Sequence, residues 1–281
     1  MQFSARPPGP APLMERTAKV NAAPPDRDQI AAAARALGAF RDGAFRIHCL
    51  TNMAAAAFTA DVLLALGARP SLTHAPAEVE HFSSSADALL VNLGTLDEDR
   101  ISGFTRAVAV MNKRRAPWVL DPVLCDRSRP RRALALELLG LKPAIIRLNQ
   151  GELRSLTGGA ENDAAGALAR EHGVTVIVTG ERDFVTDGER AARIGSGHAF
   201  MDRGTAFGCA GAAVTAACAG IGQAPFEAAV SSLLIFNRAG AITGRAAAGP
   251  GSFRPLFLDA LFHMTASDLS TADFHNIEAA S

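Results

Sequence analysis

The chain of 281 residues lacks an excess of either charge, because 28 Lys and Arg residues balance 28 Asp and Glu residues. A protein that binds nucleic acid or an anionic membrane through its bulk electrostatics needs a basic excess. The chain also lacks a hydrophobic run long enough to span a bilayer, since its apolar stretches are strand-length or are Ala-rich segments interrupted by Gly and charge. Both absences favour a small molecule as partner.

Closely spaced cysteines are missing as well. The four cysteines, Cys49, Cys125, Cys209 and Cys218, lie too far apart for a C-x-x-C metal or redox motif. The N-terminal residues show no apolar signal-peptide segment. We therefore expect reduced thiols in a cytoplasmic protein.

Proline is concentrated in the first 25 residues, which contain six prolines and little periodic hydrophobicity. This composition predicts a flexible leader, or a later start at Met14. From Asp26 onward the pattern is regular and long enough to bury a sizeable core. We predict a single domain over residues 26–281, with a frayed C-terminal tail.

Short apolar runs alternate with longer helical stretches along this predicted domain. The predicted strands are Phe45–Leu50, Pro70–Thr73, Ala88–Leu93, Trp118–Asp121, Ala144–Arg147 and Val174–Thr179, followed by a hairpin over Phe184–Ile194. The predicted helices are Ala55–Leu66, Asp97–Arg114, Arg131–Leu139, Asp163–His172, Gly208–Ala219, Pro225–Thr243 and Ser252–Met264. Such alternation is typical of an α/β fold around a mostly parallel sheet.

Polar groups follow several predicted strands, at the edge where a parallel sheet collects its functional residues. They are Asp121 before a proline, the Asn149-x-x-Glu152 pair, Thr179-Gly180-Glu181, and Gly208-Cys209 at the start of an Ala-rich helix. Each has an ordinary structural alternative, namely a turn, a helix cap or a packed thiol. Taken singly, none of them identifies an enzyme.

Their order and spacing are more specific. From His48 the chain reads HCLTN, ALGARP, THAPAEVE, ADALLVNLGTL, VLDPV, IIRLNQGE, VTGERDFVTDG, GCAGA and GPGSF. This series resembles the hydroxyethylthiazole kinase family from about residue 44 to about residue 263. The resemblance implies a ribokinase-like three-layer α/β/α fold and ATP- and Mg²⁺-dependent phosphorylation of the hydroxyl of hydroxyethylthiazole, or of a related small heterocyclic alcohol. It also implies a role in thiamine salvage and a homotrimer.

The resemblance also implies roles for individual residues. It assigns Asp121 and Glu152 to Mg²⁺, Arg147, Asn149, Thr179 and Gly180 to the nucleotide, Cys209 and Gly208 to catalysis, and Leu72, Asn52 and Ala206 to the acceptor substrate. The helix N-terminus before Cys209 offers N–H groups to a phosphate, and the same dipole is expected to lower the pKa of the thiol.

The chain departs from the family pattern at this site. Thr205-Ala206-Phe207-Gly208-Cys209 stands where the family has Thr-Gly-(Thr or Ala)-Gly-Cys, Leu124-Cys125-Asp126-Arg127 replaces a Gly-Ala-Gly-type segment, and Ala57 replaces an asparagine. We expect a phosphate and acceptor site that is smaller and less polar than in the family. If Phe207 points into the cleft, activity is weak or absent; if it points into the core, the backbone anion site survives. A catalytically silent ligand- or nucleotide-binding relative is the alternative function.

Overall fold

The computed structural model describes residues 22–159 and 162–274. Most of the predicted Pro-rich leader and the end of the predicted C-terminal tail lie outside these ranges. Within them, Ala23 forms an isolated parallel bridge with Ala192, so the chain enters the fold along the edge of the sheet.

One eight-stranded sheet forms the middle layer, with strand order β2-β1-β3-β4-β5-β6-β7-β8. The strands are β1 Arg46–Leu50, β2 Arg69–Ser71, β3 Ala88–Asn92, β4 Trp118–Asp121, β5 Ile145–Asn149, β6 Thr175–Thr179, β7 Asp183–Thr186 and β8 Ala191–Ile194. Strands β1 to β6 pair in parallel, whereas β7 and β8 are antiparallel. The predicted strands and hairpin are confirmed, with ends that shift by one or two residues.

Helices cover both faces of the sheet. They are α1 Arg27–Asp42, α2 Ala56–Leu66, α3 Val79–Ser85, α4 Glu98–Arg114, α5 Arg129–Gly140, α6 Gln150–Thr157, α7 Asn162–His172, α8 Phe207–Gly220, α9 Pro225–Gly244, α10 Pro250–His263 and α11 Ala266–Ser270, with a 3₁₀ helix at Ala199–Arg203. The hydrophobic core on one face includes α1, α2 and α8 to α11, and the core on the other includes α3 to α7. The predicted three-layer α/β/α fold is therefore confirmed.

Side chains alternate in direction along the strands, so one strand contributes residues to both cores. On β4, Val119 packs into the first core, while Trp118 and Leu120 pack into the second. Strands buried on both faces read as continuous apolar runs, which is why they were visible in the sequence. Among the described residues, no helix has the length and apolar character needed to cross a membrane.

Candidate active site

The N-terminal turn of α8 places two predicted catalytic residues at the carboxyl edge of the sheet. Ala206 precedes the helix in a left-handed conformation, with φ 78° and ψ −8°. Gly208 is exposed and Cys209 is half-buried in the first turn. N–H groups in the first turn of a helix have no intrahelical partner, so this turn is suited to an anion.

The ring of Phe207 packs in the core, although the residue also lines part of the cavity beside this turn. Its side chain is only 4% exposed, and its ring centroid lies 4.7 Å from that of Phe58 and 5.1 Å from that of Phe257. A Cβ at Gly204 would lie 2.6 Å from the Phe207 ring, so the absence of a side chain at Gly204 leaves room for the ring. Of the two orientations expected for the ring, the structure shows the one in the core, where four other phenylalanines provide an apolar site, and the expected impairment is not borne out.

A chain of side-chain amides connects Cys209 with the end of β4. Asn52 Nδ2 lies 3.3 Å from Cys209 Sγ and donates to Asn92 Oδ1 at 3.1 Å. Asn92 Nδ2 in turn donates to Asp121 Oδ2 at 2.8 Å. Asn92 and Asp121 face each other in the parallel register of β3 and β4. The strand ends thus bring Asn52, Cys209 and Asp121 into one hydrogen-bonded group.

Arg100 supports this group from the protein interior. This α4 residue is 1% exposed, and its guanidinium donates to the carbonyls of Thr51 at 2.7 Å and Asn92 at 3.1 Å. Burial lowers the pKa of Arg100, an effect that the nearby Asp97 opposes. The arginine ties the ends of β1 and β3 together directly behind the two asparagines.

Asp121 and Glu152 converge on the same edge of the sheet. Burial, followed by the charge of Glu152, raises the pKa of Asp121 to about 7, while Arg147 opposes the shift. Burial also raises the pKa of Glu152. The Glu152 oxygens accept from the backbone N–H groups of Leu124 at 2.6 Å and Asn149 at 2.8 Å, which fixes the carboxylate at the start of α6.

Two buried carboxylates that repel each other suit a divalent cation. Within residues 22–159 and 162–274, no group of three or more His, Cys, Asp or Glu side chains could hold a metal ion by itself. Mg²⁺ needs no such cage, because it is usually bound through one or two carboxylates together with substrate phosphates and water. The Asp121 and Glu152 side chains therefore fit Mg²⁺ that arrives with a nucleotide.

A cavity of about 620 Å³ opens beside the α8 turn and contains the predicted nucleotide residues Arg147, Asn149, Thr179 and Gly180. Arg147 Nη1 donates to the Gly208 carbonyl at 2.9 Å, whereas its buried Nε has no hydrogen-bond partner. The Arg147 guanidinium therefore lies between the cavity and the first turn of α8.

The pKa of Cys209 is shifted in the direction opposite to the one expected. Burial, followed by the charge of Asp121, raises the pKa of the thiol to about 11, although the amides of Asn92 and Asn52 oppose the shift. The expected lowering of this pKa by the helix dipole is wrong, because burial outweighs it. The thiol is therefore protonated near neutral pH.

The remaining predicted and missed residues also have clear positions. Leu72 follows β2 and is half-buried. It packs against the core that includes α1, α2 and α8 to α11, outside the hydrogen-bonded group. Asp183 was missed; it accepts from the Gly180 N–H at 3.1 Å and from Asn237 Nδ2 at 2.8 Å, and so fixes the turn after β6. Asn92 and Asp183 lie within quoted motifs, but nothing in their spacing distinguishes them from ordinary strand residues.

Comparison with solved structures first defines the fold. The chain resembles pyridoxal kinase from Staphylococcus aureus with a TM-score of 0.57 and 19% identity, over 71% of this chain and 89% of that one. At this identity the likeness concerns the fold alone, which is the ribokinase-like fold of small-molecule kinases.

Closer relatives define the family. A model described as "HK: Hydroxyethylthiazole kinase family" matches residues 37–267. Hydroxyethylthiazole kinase from Serratia proteamaculans is 40% identical over 87% of this chain and 98% of its own length. The Pyrococcus horikoshii hydroxyethylthiazole kinase structure has a TM-score of 0.82 and 34% identity, over 85% of this chain and 96% of that one. The chain belongs to the hydroxyethylthiazole kinase family and is a kinase, which implies that it uses ATP.

Proposed function

We propose that this protein phosphorylates the hydroxyl of hydroxyethylthiazole with ATP, as a step of thiamine salvage. The observation that carries the proposal is the open N-terminal turn of α8, which lies between the Arg147 guanidinium and the amide-linked Asp121 carboxylate. The named relatives from Serratia and Pyrococcus support the choice of acceptor.

Phosphoryl transfer requires accurate placement and neutralisation of charge rather than covalent chemistry by the protein. The Gly208 and Cys209 N–H groups and Arg147 receive the phosphoryl group that is transferred. Asp121 and Glu152 would hold Mg²⁺, which supplies positive charge to the phosphate oxygens when bound.

The nucleotide binds in the cavity beside this turn. Arg147, Asn149, Thr179 and Gly180 line it, and Asp183 holds the Gly180 turn in place. The acceptor occupies the opposite side of the turn, near Asn52, Ala206 and Leu72.

Cys209 orients the acceptor hydroxyl as a protonated thiol rather than as a thiolate base, because its pKa is raised to about 11. Positioned proton-transfer groups are typically worth about 10²–10⁴-fold in rate, and we expect Cys209→Ala to cost about 10²-fold. Cys209→Asp should turn over faster than the alanine variant. Equal turnover of Cys209→Ala and the unaltered protein would remove this role.

We further propose a cytoplasmic homotrimer in which each protomer is a single domain over residues 26–281. Met53 and Leu124 are 79% and 52% exposed beside site residues Asn52 and Glu152, and a neighbouring protomer would cover such side chains. Light scattering at micromolar concentration should give three times the protomer mass. A monomer with full activity would contradict the assembly.

The experiment that tests the function is ATP consumption by the purified protein with Mg²⁺, against hydroxyethylthiazole and a panel of small alcohols. We expect turnover that depends on hydroxyethylthiazole, and Glu152→Gln serves as the matched negative control. Nucleotide binding without turnover on any alcohol would refute the proposal in favour of a silent relative.

A further inference from the structure

The side chain of Asn92 has only one possible orientation. Asn92 is fully buried, its Oδ1 accepts from the Gly94 N–H at 3.1 Å, and its Nδ2 donates to Asp121 Oδ2 at 2.8 Å. A backbone N–H can only donate, so a flipped amide would place its NH₂ group against the Gly94 N–H and lose that bond. The end of β3 therefore fixes which atom Asn92 presents to Asn52.

That orientation determines the orientation of Asn52. Because Asn92 presents an acceptor, Asn52 must turn its Nδ2 toward it, and Asn52 Oδ1 is left to accept from the Ala55 N–H at 3.1 Å. The same Nδ2 reaches Cys209 Sγ at 3.3 Å. The sulfur is thereby an acceptor toward Asn52, and its own hydrogen is left free to point elsewhere.

Asn52 is closely packed against Gly94. A Cβ at Gly94 would lie 2.7 Å from both Cβ and Nδ2 of Asn52. Arg100 adds a hydrogen bond to the Asn92 carbonyl at 3.1 Å, which holds the strand end itself. The order of donors and acceptors from Gly94 to Cys209 is thus set by main-chain groups.

We propose that Asn92 is a positioning residue for phosphoryl transfer: through Asn52 it orients the Cys209 thiol, while through Asp121 it holds the carboxylate end of the site. Asn92 touches no reacting atom. The inference rests on the proposed kinase function, in which Cys209 orients the acceptor hydroxyl.

The test uses two variants that disturb the hydrogen bonds among Asn92, Asn52 and Cys209 at different residues. Asn92→Leu keeps the approximate volume and removes the amide, whereas Gly94→Ala leaves Asn92 in place and displaces Asn52. The backbone of Gly94 is not left-handed, and the nearest atoms that an alanine Cβ would meet there belong to Asn52. The control is Asn112→Leu, which removes an amide that bonds Leu141 and Trp118 on another part of the sheet.

Both variants should lower kcat by about 10²-fold, the cost of a misplacement of roughly 1 Å. Gly94→Ala leaves the Asn92 bond to Asp121 in place and should leave KM for ATP unchanged. The effect of Gly94→Ala should largely disappear in a Cys209→Ala background, because the thiol that it misorients is absent. Additive losses in this double-mutant cycle, or a loss in Asn112→Leu as large as in Asn92→Leu, would overturn the proposal.

A second readout needs no turnover. An N–H donor to sulfur favours the thiolate, so iodoacetamide should modify Cys209 more slowly in both variants than in the unaltered protein, with sites identified by mass spectrometry. Unchanged modification of Cys209 would contradict the inference. If the unaltered protein shows no kinase activity, the proposed function fails while this measurement still tests the amide chain. Should Asn92→Leu fail to fold, Gly94→Ala carries both tests.

Discussion

Replacement of Phe207 by alanine tests whether the α8 turn is built on the core. The side chain is 4% exposed and its ring contacts those of Phe58, Phe236, Phe253 and Phe257, with centroid distances from 4.7 to 6.4 Å. Truncation removes most of the ring and leaves a cavity that four rigid rings cannot fill. The variant should therefore lose stability rather than gain activity.

The expected magnitude follows from this burial. Phe→Ala substitutions in cores cost about 3–5 kcal/mol in free energy of unfolding. For a domain of this size each kcal/mol lowers Tm by roughly 2–4 °C, so a fall of about 6–20 °C is expected. Phe207→Leu nearly conserves volume and should cost less than about 1.5 kcal/mol. Phe262, which is 62% exposed, is the matched control, and its alanine variant should stay within about 0.5 kcal/mol of the unaltered protein.

Urea unfolding followed by circular dichroism gives the free energies, and a coupled ATP assay gives kcat for the same samples. We expect the Ala206→Gly, Phe207→Thr double variant, which restores the family pattern, to be less stable and no faster. A large rise in kcat without a loss of stability would show that the ring obstructs the cleft, and it would refute this account of the turn.

Three further predictions follow from individual environments. Ala206→Gly should raise the free energy of unfolding by about 1 kcal/mol, because it relieves a left-handed alanine, whereas Ala213→Gly within α8 should lower it; urea unfolding measures both. Glu152→Gln should lower kcat by about 10²-fold, and an amide cannot accept both backbone N–H groups, so Tm should fall as well. Burial lowers the pKa of His48 in the folded protein. The stability that this neutral histidine contributes above its unfolded pKa of about 6.5 should therefore be lost as pH falls, by up to about 1.4 kcal/mol per pH unit. His48→Gln should lack this slope when urea unfolding is measured across the pH range.

Several elements with a strong periodic signal were predicted from the sequence, although helix α1 was not among the predicted helices. Strand β4 was predicted with its observed ends, because Trp118–Asp121 is an apolar run closed by a proline. Helix α3 was missed because Val79–Ser85 contains three serines and is short, so its helical state depends on packing against α4. Helix α6 was left open between a loop and a helical turn, since the Asn149 and Glu152 pattern fits both.

The site was predictable where function requires a particular residue type, and it was less so where geometry alone decides. Asp121 and Glu152 were both assigned to Mg²⁺, and in the structure the charge of Glu152 acts on Asp121. The direction of the Phe207 ring depends on phenylalanines that come from three other helices, α2, α9 and α10, and no local pattern reports that contact. The predicted direction of the Cys209 pKa shift was wrong for a similar reason, because burial depends on the whole fold.

The departure from the family pattern at Ala206 and Phe207 is compatible with kinase activity because the groups proposed to face a phosphate in this turn are main-chain N–H groups. Such groups depend on the path of the backbone, and a side chain matters only if it changes that path or fills the space in front. Phe207 fills space in the core instead, where its ring anchors the first turn of α8. Ala206 keeps the left-handed conformation that a glycine would adopt, at a cost of about 1–2 kcal/mol. A buried ring therefore offsets a strained residue, and the anion-binding turn keeps its direction.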